Sequence, residues 1–171
     1  MRRPIQPADL RMSSLPYPTQ PTRLDAARRS DSKPFLGTIL VRRGRISQEQ
    51  LNVALGDVER TGRRLGDVLL ERGWLYESEL ASALAEQTGV EYVDIAATSV
   101  NPEVAAGFPL DFAQHFRAIP VRTLSSGSTL VAVVDPGDVD VEVLRIVLGT
   151  DVKLAISELS AIREAARRFC R

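Results

Sequence analysis

The chain has 171 residues, with one cysteine, one histidine and equal numbers of basic and acidic side chains, 22 of each. A lone cysteine excludes an intrachain disulfide, and Cys170 with His115 cannot assemble a Cys/His zinc site. No run approaches the roughly 20 apolar residues of a membrane span, and Met1-Arg2-Arg3-Pro4 lacks the apolar stretch of a secretory signal, so a cytoplasmic protein without membrane insertion is expected.

Residues 1–34 hold six Arg and one Lys against three Asp, together with six of the ten prolines. Such a segment has too little apolar surface to offset the entropy of ordering the chain, and it is expected to be a disordered basic tail. Because the whole chain is neutral and the tail is +4, the remainder is −4.

From Phe35 the pattern turns helical. Leu36, Ile39, Leu40 and Arg43 keep a 3.6-residue period that stops at Gly44, a natural left-handed cap. Ser47 followed by Gln50 is a capping box opening a second helix, in which Leu51, Ala54, Leu55 and Val58 share a face. After the linker Glu59–Arg63, a third helix is expected over about 64–72, ending at Gly73, and a fourth over about 77–87, ending at Gly89. The second hairpin repeats the first after 29 residues (36 to 65): Leu36-Gly37, Leu40-Val41, Gly44 and Leu51 to Leu55 recur as Leu65-Gly66, Leu69-Leu70, Gly73 and Leu80 to Leu84. Agreement at the glycines as well as the leucines points to duplication of one supersecondary unit, and two such units can enclose a site of approximate two-fold symmetry.

Residues 90–171 read differently. Tyr92–Ile95 is expected as a short strand, Asn101-Pro102 opens a helical stretch broken at Pro109, and 117–124 with 129–134 form a hairpin around Ser125-Ser126-Gly127-Ser128. An amphipathic helix over 138–148, a strand over 152–156 and a last helix capped by Ser157 and reaching about Phe169 complete this half. The expected class is α+β: a four-helix tandem-repeat unit over 35–89, then a small, mostly antiparallel sheet with packed helices over 90–171.

Enzyme classes are excluded first. The sequence G-x-x-x-x-G-K-[ST] is absent, so the chain has no P-loop, and His115 in the apolar run 112–116 reads as packed or surface, not catalytic. The acidic group Asp135, Asp138, Asp140 and Glu142 departs from the Ca²⁺-loop spacing, and Asp135-Pro136-Gly137-Asp138 reads as a turn followed by a helix cap. No catalytic residue, metal or cofactor is expected. The repeat is the better candidate. Each Leu-Gly opens a helix, where unpaired N–H groups favour an anion and glycine permits close approach. Leu40/Val41 and Leu69/Leu70 offer apolar surface to bases or ribose, and Arg64 offers a guanidinium fork to a guanine edge. The plainer alternative is that these leucines form only the bundle core and Gly44 and Gly73 only caps.

These residues resemble the pattern R-L-G-x-x-L-V-x-x-G-x-I-x-x-x-x-L-x-x-A-L-x-x-Q, repeated with a five-residue spacer, of the MshEN module at the N-terminus of type II secretion and type IV pilus assembly ATPases. The spacer Glu59–Arg63 has that length, and Tyr92-Val93-Asp94, Ala118-Ile119-Pro120-Val121 and Val134–Asp138 are similar to the α+β portion that follows. The resemblance implies binding of cyclic di-GMP. Its residues would be Phe35, Leu36, Gly37, Leu40, Val41, Gly44, Leu51 and Leu55 in copy one, and Arg64, Leu65, Gly66, Leu69, Leu70, Gly73, Leu80, Leu84 and Gln87 in copy two. It also implies a protein partner in a secretion, pilus or other envelope machine, and no direct nucleic-acid binding. Copy one departs from the pattern, with Phe35 in place of Arg and Val58 in place of Gln, whereas copy two keeps both polar ends. The rival expectation is a protein-docking module that binds no nucleotide.

Overall fold

A computed structural model of the chain describes residues 34–170 except 97 and 99, so the expected tail lies outside the described residues apart from Pro34. Four helices come first: α1 (Leu36–Arg42), α2 (Gln48–Thr61), α3 (Leu65–Glu71) and α4 (Glu77–Thr88). Then follow α5 (Pro102–Ala106), α6 (Leu110–Phe116), β1 (Ala118–Thr123), β2 (Thr129–Val133), a 3-10 turn (Pro136–Asp138), α7 (Val141–Leu148), β3 (Val152–Ile156) and α8 (Leu159–Phe169).

Local chemistry explains most boundaries. Ser47 and Gln50 form the capping box in both directions, at 3.1 and 2.8 Å. Gly44 and Gly73 turn the chain at φ 64° and 66°, in the left-handed region glycine enters without Cβ crowding. α2 runs further than expected, through Glu59–Thr61 to a left-handed Gly62, because nothing in the spacer interrupts the helix before that glycine.

Packing runs across the repeat: α1 lies on α4 and α2 on α3. Arg43 of copy one pairs with Glu86 of copy two, and the equivalent Arg72 (43 + 29) pairs with Asp57 (86 − 29), its Nε donating at 2.9 Å. Those bonds from Arg72, then Arg60, hold the Asp57 carboxyl below its usual range. Inside each copy a leucine of the second helix covers the glycine of the first. A Cβ at Gly37 would meet Leu51 Cδ1 at 2.6 Å, and one at Gly66 would meet both Leu80 methyls at 3.0 Å. Leu51 is itself buried, so Gly37→Ala is expected to lower stability by about 1–3 kcal/mol through overpacking. Gly56, with open space around it in mid-α2, gives the opposite sign: Gly56→Ala raises stability by about 0.8–1 kcal/mol from helix propensity. Urea melts of both variants check the pair.

The sheet has the order β1-β2-β3, with β1 and β2 antiparallel and β2 and β3 parallel. The expected class is what the structure has, but the sheet is mixed instead of mostly antiparallel, because α7 carries β2 over to β3 in the same direction. A register shift between Pro120 and Arg122 frees the Val121 carbonyl to accept the Asn101 N–H at 2.8 Å. Tyr92–Ile95 is no strand: Tyr92 makes one parallel bridge to Ile156, and the chain then turns as Asp94 Oδ1 accepts the Ala96 N–H. Ser157 does not cap α8. Its N–H prolongs the β3 pairing to the Val133 carbonyl, Glu158 takes the cap position, and Glu77 of α4 accepts the Ser160 N–H at 2.8 Å.

Two apolar clusters result, one inside the four helices and one between the sheet and α5, α6, α7 and α8. Ile156 of β3 belongs to the helical cluster, where α4 packs on β3, and ties the halves together. Nearby, desolvation and then the bond from its hydroxyl to Glu158 raise Tyr92 to a pKa of about 12 from 10.0. The folded chain therefore keeps that proton longer than the unfolded chain. Its contribution is complete below pH 10 and is lost as pH rises toward 12. Tyr92→Phe is expected to flatten that alkaline decline in a pH series of thermal melts.

Candidate functional site

The two copies meet at a groove. Leu36 opens α1 and Leu65 opens α3 at equivalent positions, and both line one groove of about 300 Å³ with Arg64, Gly66, Asp67, Leu80, Leu84 and Gln87. Its opposite wall comes from the α+β half: Arg117, Val134 and Asp135. Seven of the residues expected from sequence are thus brought together: Leu36, Arg64, Leu65, Gly66, Leu80, Leu84 and Gln87.

The others lie elsewhere. Leu40 and Leu69 are fully buried in the helical core, Leu51 is buried over Gly37, and Val41 and Leu70 pack on the core's edge. Gly44 and Gly73 form the turns after α1 and α3. Phe35 and Leu55 of copy one stand out into solvent, 73% and 41% exposed, away from the groove lining. The site is lopsided, as the sequence departures of copy one suggest, with its polar groups from copy two and from the second half of the chain.

Arg64 is the best-positioned polar group. It holds the N-cap position of α3, and its half-exposed guanidinium forms a two-pronged ion pair with Asp138 plus a 3.3 Å contact to Asp135 Oδ2. The Asp138 bond, against some desolvation, raises the Arg64 pKa further above its already high value, so this side chain is a permanent cation held in a fixed orientation. Asp135 is anchored in turn: its Oδ1 accepts the Gly137 N–H at 2.8 Å and starts the 3-10 turn. Asp138 is not the helix cap expected from sequence. That place belongs to Asp140, whose Oδ1 accepts the Glu142 N–H at 2.9 Å. At the groove the Leu-Gly helix opening already carries a carboxylate, Asp67 in the first turn of α3, whereas α1 has none.

Sequence reading missed Asp67, Arg117, Val134 and Asp135 as parts of this groove and Asp138 as the partner of Arg64. Asp67 was legible as the residue after Leu65-Gly66. The others join Arg64 or its groove across 53 to 74 residues of chain (117 − 64 and 138 − 64), and no local period encodes such a closure.

Cys170 is buried and its thiol is pushed up to about 11 by desolvation, so it is a protonated, poor nucleophile at neutral pH. The described residues contain no cluster of three or more His, Cys, Asp or Glu placed to hold a metal ion. Nor is any described helix long and apolar enough to cross a membrane.

Comparison with known proteins bears on the fold. The MshEN domain family matches residues 88–171. Over that stretch the chain is similar to the MshEN domain. The matched residues include Arg117, Val134, Asp135 and Asp138 but begin just after the repeat, so the family match rests on the α+β half. The repeat is reached by structural likeness: a solved structure of MshE with cdg superposes with a TM-score of 0.66 at 27% identity, covering 80% of this chain and 99% of that one. The N-terminal domain of XpsE has the same fold, with a TM-score of 0.63 over 80% of this chain and 94% of that one. Among relatives, the type IV pilus assembly ATPase PilB of Myxococcus xanthus is 30% identical over 135 residues, 78% of this chain and 24% of its own length. The bacteriophage adsorption protein B of Escherichia coli is 40% identical over 88 residues, 51% of this chain and 12% of its own. The chain thus spans about a quarter or less of these relatives.

Proposed function

We propose that this chain is a non-enzymatic receptor module that binds cyclic di-GMP in the groove between the two repeats and passes the signal to a secretion, pilus or related envelope machine. The observation that carries the reading is the convergence of equivalent residues, Leu36 and Leu65, on one groove that Arg64 and Gln87 also line. A dinucleotide with two guanines and two phosphates suits a site built by duplication, and the cdg of the structurally similar MshE is that ligand. Leu80, Leu84, Leu36 and Leu65 offer flat apolar contact to a base, while the fixed Arg64 fork suits a guanine O6/N7 edge.

Calorimetric titration of the purified chain with cyclic di-GMP, with GTP and cyclic di-AMP as controls, tests the proposal. Saturable binding of cyclic di-GMP alone is expected. Absence of binding would give the lead to the second reading, a protein-docking module, which the outward-facing Phe35 and Leu55 favour.

The lopsided site makes a further expectation. Binding is dominated by copy two, and Phe35→Arg with Val58→Gln supplies copy one with the polar ends it lacks. A gain of about 1–2 kcal/mol is the scale of charge-assisted hydrogen bonds. Position 35 is exposed and position 58 only partly buried, so neither new group is sealed away unpaired. A double variant that binds more weakly at unchanged melting temperature would show that copy one does not face the ligand in the register assigned.

A further inference from the structure

Arg117 ends α6 at φ 47° and ψ 50°, and it is the one non-glycine residue at positive φ among the described residues. Its main chain is tied at both sides. The N–H donates to the Ala113 carbonyl, and the carbonyl accepts the Val134 N–H at 3.3 Å, which turns the chain from α6 into β1 beside Val134 and Asp135. Glycine makes such a turn without cost, whereas an L side chain there stores strain on the order of 1 kcal/mol. The turn makes no use of the guanidinium: among the described residues it forms no hydrogen bond or ion pair. Arg117 lines the groove with Arg64 and Gln87, and it also borders a second cavity beside Gln114 and Arg163.

The charge balance of the groove gives that placement a meaning. Arg64 is neutralised by Asp138 and Asp135, and Asp67 adds another carboxylate, so Arg64 has no net charge to spare for an anion. Among the described residues that line the groove, Arg117 is the cation left without a carboxylate partner. We infer that Arg117 is the phosphate-binding residue of this groove, gripping a phosphodiester of the ligand through its guanidinium, while Arg64, oriented by Asp138, serves the base edge. The inference rests on the receptor reading above and deepens it: with Arg64 committed to Asp135 and Asp138, Arg117 is the guanidinium of the lining left without a carboxylate partner and so the group a phosphodiester can engage. An arginine fork matches two phosphate oxygens at once, which lysine cannot reproduce.

The test is calorimetric titration of the full chain with cyclic di-GMP for the parent, Arg117→Ala, Arg117→Gly and Arg117→Lys, each at two salt concentrations, alongside thermal melts. The alanine and glycine variants are expected to bind about tenfold more weakly or worse, with lysine between them and the parent. Their affinity should also depend less on salt, because one exposed charge contact is gone. The glycine variant should melt at or above the parent, since it releases the strained turn. A parent that binds while all three variants match it in affinity and salt response overturns the inference and leaves the receptor reading standing. Weaker binding in the glycine variant with a lowered melting temperature and unaltered salt dependence also overturns it, marking Arg117 as structural. A parent that does not bind defeats both.

Discussion

Leu69→Ala is expected to cost about 2–5 kcal/mol of unfolding free energy, the largest single effect anticipated for the helical half. The side chain is fully buried at the centre of the four-helix cluster, and truncation removes its transfer energy and leaves a cavity that the packed neighbours cannot fill. Leu40→Ala, its equivalent in copy one and equally buried, should fall in the same range. Urea unfolding followed by circular dichroism measures both. If either costs less than about 1 kcal/mol, that leucine is not in a tightly packed core. Because neither residue opens onto the groove, any loss of ligand affinity in these variants should disappear under conditions where the protein remains fully folded. That outcome separates a core leucine from a contact leucine, a distinction the repeat pattern alone does not make.

Arg64→Ala should weaken cyclic di-GMP binding by about 1–3 kcal/mol, roughly 5- to 150-fold in Kd. Its effect on the fold should be small. The Arg64 side chain is 51% exposed, and the ion pair with Asp138 is correspondingly screened, so its loss costs at most about 1 kcal/mol of stability. Affinity and stability are therefore expected to part: titration calorimetry moves and the thermal melt hardly does. Unchanged affinity would remove Arg64 from the site. A collapse of the melt would mean that the Arg64–Asp138 pair chiefly joins the two halves.

Much of the fold was legible because its signals are local. The Ser47/Gln50 box, the glycines at 44, 73 and 89, and the two strands around Ser125–Ser128 are each settled within a few residues of themselves, and the structure has them where the sequence placed them. The departures share a cause. Ser157 has the chemistry of a cap, but a sheet partner claimed its N–H first. Tyr92–Ile95 has strand composition, but Asp94 turned the chain after one bridge. Asp138 looked like a cap until Arg64, 74 residues earlier, engaged it. In the site, the repeat named the copy-two wall and Leu36, whereas the wall from Arg117 to Asp138 depends on how the second half closes over the first. Local patterns identify elements; which polar group meets which is decided by tertiary closure.

The cross-copy packing of the helices bears on how such a site is built at all. Since α1 completes α4 and α2 completes α3, one hairpin by itself is half a core, and a molecule with a single copy would find the missing half in another molecule related by a two-fold axis. Joining the copies through the short stretch Glu59–Arg63 turns that bimolecular assembly into an intramolecular one, with the partner held at an effective concentration on the order of millimolar. It also lifts the constraint of identity. A homodimer must present the same residue on both sides of its axis, but a tandem chain can keep arginine and glutamine on one side while phenylalanine and valine occupy the other, leaving the second side free to acquire a different task.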